Sequence, residues 1–135
     1  MKDLASCLDE VSLIVVSHIS EVRLETINKK TYSLNGRRKR LVACEKVKDK
    51  LEKLIVENRT SINQNQMAAI LDLYSDLVAV VRALRTCVDR NSADAAYHLD
   101  KIRDITDLRH TNATTLLAQE EEAKSLDVPH YFREN

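Results

Sequence analysis

The chain contains almost no glycine or proline, the two residues that most strongly favour reversals of the backbone. Its 135 residues include one glycine, Gly36, and one proline, Pro129. All-β folds need turn residues about every 8 to 12 positions, and this sequence cannot supply them. Hydrophobic residues make up 44% of the chain and charged residues 31%, which is enough for a core and a well-solvated surface. The sequence therefore predicts a soluble, all-α protein.

Four helical segments follow from the three- and four-residue spacing of the apolar side chains. They cover about residues 2–27, 38–57, 64–90 and 93–125. Because the connections are short, consecutive helices should run antiparallel. The predicted fold is an antiparallel, up-down four-helix bundle with long helices, with a fifth short C-terminal helix if the last one breaks near 109–113. Residues 1–126 are predicted to form a single domain and residues 127–135 a C-terminal tail.

Turn and capping residues mark the connections. The dipeptide Asn35-Gly36 predicts a tight reversal with left-handed backbone between the first two helices. Either Ser61 or Asn63 can cap the third helix. Asn91 ends the third helix and, with the serine that follows it, separates it from the fourth.

Two helices carry more apolar surface than one neighbouring helix can cover. The third helix has an unbroken coiled-coil heptad row, consisting of Met67, Ile70, Tyr74, Leu77, Val81, Leu84 and Val88. Leu73 and Val80 form a second row beside it, and Leu13 and Val16 lie outside the main apolar row of the first helix. We expect these four additional residues to bind a protein partner or a second copy of the chain.

The densest charged feature is a basic cluster at the predicted first reversal. Its six members are Lys29, Lys30, Arg37, Arg38, Lys39 and Arg40. Such a cluster suits an acidic protein, nucleic acid or an anionic lipid surface, and it also fits a nuclear-import sequence. The simpler interpretation is a solvated hairpin tip that its charge keeps soluble. Charge is also unevenly divided along the chain: residues 1–60 carry 13 basic and 9 acidic side chains, and residues 61–135 carry 8 and 12.

The histidine and aspartate residues give little indication of a metal site or a catalytic site. Asp100, Asp104 and Asp107 share one helix face, and His110 follows Asp107 at a spacing that can bind a metal. No matching motif occurs in the other helices, whereas a metal site in a bundle needs ligands from several of them, so we interpret this face as solvated. His18 lies in the apolar row of the first helix and is expected in a core or an interface. With one glycine, the chain cannot build a P-loop or a Rossmann phosphate cradle.

The three cysteines, Cys7, Cys44 and Cys87, are an odd number without a C-x-x-C pair, which predicts reduced thiols. No signal peptide and no apolar run of about 20 residues are found. These features predict a cytoplasmic protein, with a nuclear location as the alternative. The tail aromatics Tyr131 and Phe132 could cover the bundle end, act as a short docking peptide or remain disordered.

These observations favour a non-enzymatic interaction module: an adaptor, scaffold or assembly subunit that uses apolar helix faces within a homo-oligomer or a hetero-complex. No cofactor, metal or catalytic residue is expected. The alternative is a regulator that binds nucleic acid or anionic lipid through the basic residues at 29–40.

Overall fold

A computed structural model of the chain describes residues 1–28, 33–91 and 105–119, without the side chains of residues 23 and 25–28. The described residues form four helices and no strand. The helices are α1 (Lys2–Asn28), α2 (Leu34–Glu57), α3 (Gln64–Asp89) and the helical residues 105–119, which we call α4. The fold is therefore an all-α four-helix bundle, as the sequence predicts.

Contacts between helices show that neighbours run antiparallel. Glu10 of α1 binds Lys50 of α2, while Glu21, further along α1, binds Arg40, which precedes Lys50. The same inversion joins α2 to α3, through the contacts Glu52–Tyr74 and Glu45–Arg85. It also joins α3 to α4, through Gln66–Leu116 and Asp76–Arg109. A contact between Asp9 of α1 and His110 of α4 closes the bundle.

The core is made of the apolar rows that the sequence predicts. Leucine and valine side chains of α1 and α3 are almost completely buried against each other and against α2. The largest fully buried apolar side chains of the core are Leu4, Leu8, Ile19, Leu51, Ile70, Leu73, Leu77 and Leu84. Close packing of such side chains at about 1.5–3 kcal/mol each provides most of the stability of a bundle.

The prediction of a left-handed turn at Asn35-Gly36 was wrong. α2 begins at Leu34, and Ser33 is its N-cap, accepting a hydrogen bond from the Gly36 amide at 3.1 Å. Neither residue has a positive φ angle, so both belong to the first helical turn. The physical reason is that a serine cap can begin a helix over a glycine, whose lower helix propensity matters little in the first turn.

The other helix ends agree with their sequence signals. Asn63 caps α3 through a capping box, in which its side chain binds the Gln66 amide and the Gln66 side chain binds the Asn63 amide. Asn91 follows the end of α3 with a φ of 51°, the left-handed conformation common after a helix. The helix α4 is continuous through 109–113. The predicted remainder of the fourth helix, residues 93–104 and 120–125, and the tail 127–135 lie outside the described residues.

Candidate functional site

Seven large apolar side chains of the described residues remain exposed. They are Leu13, Leu24, Val42, Val56, Leu71, Ile105 and Leu108. Single exposed apolar residues are normal on any protein, so the informative ones are those that share a face. Three pairs do so: Leu13 with Leu24 on α1, Val42 with Val56 on α2, and Ile105 with Leu108 on α4. The α1 pair spans eleven residues, or three helical turns, and the positions between its leucines on that face hold no charged side chain.

The outer face of α1 is a strip of two leucines separated by two serines. Leu13 is 71% exposed and Leu24 47% exposed, and the half-buried Ser17 and Ser20 lie between them at heptad spacing. We call Leu13, Ser17, Ser20 and Leu24 the α1 outer face. The predicted contact residue Val16 lies beside this strip and is half-buried. Small side chains flanked by leucines leave room for a second helix to approach closely.

Leu73 and Val80 are not available to a partner in this structure. Both are 0% exposed and belong to a core cluster to which all four helices contribute, including Ala113 and Leu117 of α4. The expectation that they would form a free apolar face therefore needs correction. α3 contacts α1, α2 and α4. The wide apolar arc of α3 is therefore buried by other helices of the same chain.

The structure divides the predicted basic cluster. Arg37 is 2% exposed and lies 3.9 Å from Glu21 of α1. Arg40 is partly buried and forms an ion pair with the same carboxylate. Arg38 and Lys39 are exposed, while Lys29 and Lys30 lie outside the described residues. The described arginines thus connect α1 to α2 as well as presenting charge to solvent.

His18 lies in the core beside these arginines. It is 2% exposed, and among the described residues its Nδ1 atom has no hydrogen-bond partner. Burial, together with the positive charges of Arg37 and Arg40, lowers the pKa of His18 to about 4. The imidazole is therefore neutral near neutral pH, and a buried neutral ring without a base or carboxylate partner is a structural residue more than a proton-transfer group.

A buried polar cluster joins α3 to α4. The Asp76 side chain is 3% exposed, accepts a hydrogen bond from the Thr106 hydroxyl at 2.9 Å and pairs with Arg109. Burial raises the pKa of Asp76, and the bonds from Thr106 and Arg109 partly offset this effect. The sequence signal for this cluster was the presence of Thr106 and Arg109 in an otherwise apolar row. Their partner on α3 was not predicted.

The predicted acidic face is only partly described. Asp107 is exposed, and His110 binds Asp9 of α1, with 2.6 Å between Nε2 and Oδ1. Asp100 and Asp104, like Tyr131 and Phe132 of the tail, lie outside the described residues. Across residues 1–28, 33–91 and 105–119, no group of three or more histidine, cysteine or acidic side chains could hold a metal ion.

Two of the three cysteine thiols, those of Cys7 and Cys44, are poorly placed for nucleophilic chemistry. Cys7 and Cys44 are buried, Cys87 is half-buried, and none forms a disulfide. Burial raises the pKa of Cys7 and raises that of Cys44 to about 11. A thiol with a raised pKa is a weak nucleophile, since the thiolate is the reactive form.

One surface depression lies at the opposite end of α1 from His18. It has a volume of about 250 Å³, is open to solvent, and is lined by Asp3, Ser6, Lys50, Lys53, Leu54 and Glu57. Its charges of both signs and its open shape differ from the enclosed, mainly apolar sites that hold small ligands. We therefore regard it as a groove between two helices.

Comparison of the chain with protein-family models, with curated proteins and with solved structures gives no significant match. Within the described part of the chain, no helix has the length and apolar character needed to cross a membrane.

Proposed function

We propose that this chain is a non-enzymatic interaction module that binds a helix of a partner protein through the α1 outer face. The observation that carries the proposal is the exposure of Leu13 and Leu24 on one side of a helix whose other side is core. An amphipathic helix recognises a partner through apolar anchors at this kind of spacing. Burial of each leucine in an interface would contribute about 1.5–3 kcal/mol.

The serines between the leucines add shape to this surface. Ser17 and Ser20 are small, so a partner helix can lie close to the α1 backbone while its own side chains reach Leu13 and Leu24. A few such anchors provide most of the binding energy in known interfaces. On this proposal, the partner contributes an apolar helix face, in a homo-oligomer or in a larger complex.

Binding of nucleic acid or anionic lipid has less support. Two of the four described basic residues at 37–40, Arg37 and Arg40, contact Glu21 within the chain. The exposed pair Arg38 and Lys39 is a small charge for phosphate recognition, which usually depends on several contacts.

The buried thiols Cys7 and Cys44 suit a reducing compartment, so we propose that the module is located in the cytosol or the nucleus.

A matched pair of leucine substitutions tests the proposal. Leu13→Glu puts a charge at one end of the α1 outer face, whereas Leu108→Glu puts the same charge on α4 at a site that is also 71% exposed. The tagged wild-type chain and both variants are expressed in the native cell, and recovered proteins are quantified by mass spectrometry. Light scattering after size exclusion reports self-association.

We expect Leu13→Glu to reduce recovery of the partner, or the oligomer population, by about tenfold or more, since burying an unpaired charge costs several kcal/mol. Leu108→Glu should leave both unchanged. Equal recovery of the same partners by all three chains, with an unchanged oligomeric state, would contradict the proposal. Circular dichroism checks that both variants keep the helical fold.

A further inference from the structure

The described part of α4 buries few large apolar side chains and also binds the bundle through polar contacts. Its buried side chains are Thr106, Ala113 and Leu117, of which one is a large apolar residue. By contrast, α3 buries eight apolar side chains. Burial of apolar area is the main source of helix docking energy, so 105–119 is held less strongly than α3.

Asp76, which binds Thr106 and Arg109 of α4, belongs to a row of buried residues on one face of α3. Asp76 lies at its centre, and the seam repeats at alternating intervals of four and three residues, which places its members on one face. We call Ala69, Leu73, Asp76, Val80 and Ala83 the Asp76 seam; all five are buried. Small residues lie at its ends and larger apolar residues flank the single carboxylate.

The ion pair between Asp76 and Arg109 lies at the centre of this seam. We expect it to contribute more to the choice of the helix that binds there than to the stability of the closed bundle. Asp76 is 3% exposed when α4 is in place, so its carboxylate has lost most of its hydration. When α4 moves away, the carboxylate returns to water and this desolvation cost is recovered. Buried ion pairs are therefore often near neutral for stability, although removing one partner from a closed site is costly.

We infer that the Asp76 seam is a second binding groove, in which an arginine-bearing amphipathic helix of another protein replaces α4. The chemistry of that helix is set by the present occupant: a hydroxyl at the Thr106 position, arginine three residues later, alanine at the Ala113 position and leucine at the Leu117 position. The arginine is recognised by a carboxylate that only a well-aligned cation can satisfy. This groove is independent of the α1 outer face.

The same idea explains how Leu73 and Val80 could contact a partner although they are core residues. They lie on the same face of α3 as Asp76, which binds α4, so we expect displacement of α4 to expose that face. Binding would be weakened by the fraction of molecules that are closed, as for any site that exists in a minor conformation. Changes that loosen α4 without altering the groove should therefore strengthen binding.

A labelled peptide provides a direct test with the full-length chain. The probe is a fluorescent synthetic peptide with the sequence of residues 105–119, titrated with protein and followed by anisotropy. We expect saturable binding, weakened about tenfold or more when the peptide carries Arg109→Glu. Protein with Arg109→Gln, whose own α4 is held less strongly, should bind the unmodified peptide about tenfold more tightly than wild type.

Two further measurements keep the test decisive. Hydrogen exchange on the unmodified chain should show faster exchange for 105–119 than for α3, as expected for a locally opening element. Protein with Leu13→Glu should bind the peptide as wild type does, so failure of the α1 outer face proposal leaves this result untouched. Equal protection of 105–119 and α3, or no saturable binding by wild type and Arg109→Gln, would overturn the inference.

Discussion

At the scale of single residues, His18 is a buried titratable group whose surroundings disfavour its charged form. It is buried on α1 next to Arg37 and Arg40 of α2, with Glu21 as the nearby acidic residue that binds both arginines. Because its pKa in the folded chain is about 4, the fold favours the neutral ring. Protonation would add a third positive charge to a buried site that has one described carboxylate.

This environment predicts that the fold loses stability in mild acid. The unfolded chain protonates His18 near pH 6.5, while the folded chain resists protonation until about pH 4. Stability from this residue is therefore complete above pH 6.5 and is lost as the pH falls to 4, by about 3 kcal/mol. Urea unfolding between pH 7 and 4 should show a smaller loss for His18→Gln than for wild type. Identical pH profiles would refute the assignment.

At the scale of helices, the ends depend on side chains more than on turn residues. The start of α2 shows this, because Ser33 caps the helix and Gly36 lies inside it. The start of α3 shows it more strongly, since Asn63 and Gln66 satisfy each other's amides and Gln66 also donates to the Leu116 carbonyl of α4 at 3.3 Å. The capping residue Gln66 thus stabilises the start of α3 and also helps to hold α4 in place.

We predict that Asn63→Ala destabilises the chain by about 1 kcal/mol, because it removes the acceptor for the Gln66 amide. The control is Ser61→Ala, which changes an exposed residue that the sequence offered as an alternative cap but that does not cap α3. Ser61→Ala should alter stability by less than about 0.5 kcal/mol. Thermal or urea unfolding measures both, and an equal effect of the two variants would contradict the cap.

At the scale of the whole molecule, helical periodicity predicts which faces are apolar but not which helix covers each face. The apolar rows predicted a helical bundle, and the short connections predicted its antiparallel order. They could not tell that Leu73 and Val80 are buried while Leu13 is exposed, because that depends on how the other helices pack around each one. Similarly, buried Arg37 pairs with Glu21 of α1, and buried Asp76 pairs with Arg109 of α4. No local sequence pattern connects the members of either pair.

The arrangement of the whole bundle predicts opposite outcomes for the same leucine-to-alanine change at two sites. Leu77 is 0% exposed at the centre of α3, whereas Leu108 is 71% exposed on α4. Leu77→Ala removes buried methyl groups and leaves a cavity, which should cost about 2–5 kcal/mol. Leu108→Ala loses little buried area, and alanine favours helix, so its effect should lie within about 0.5 kcal/mol of zero. Urea unfolding of the two variants measures the difference, and comparable losses would mean that α4 turns Leu108 toward the core and that the four helices pack in another order.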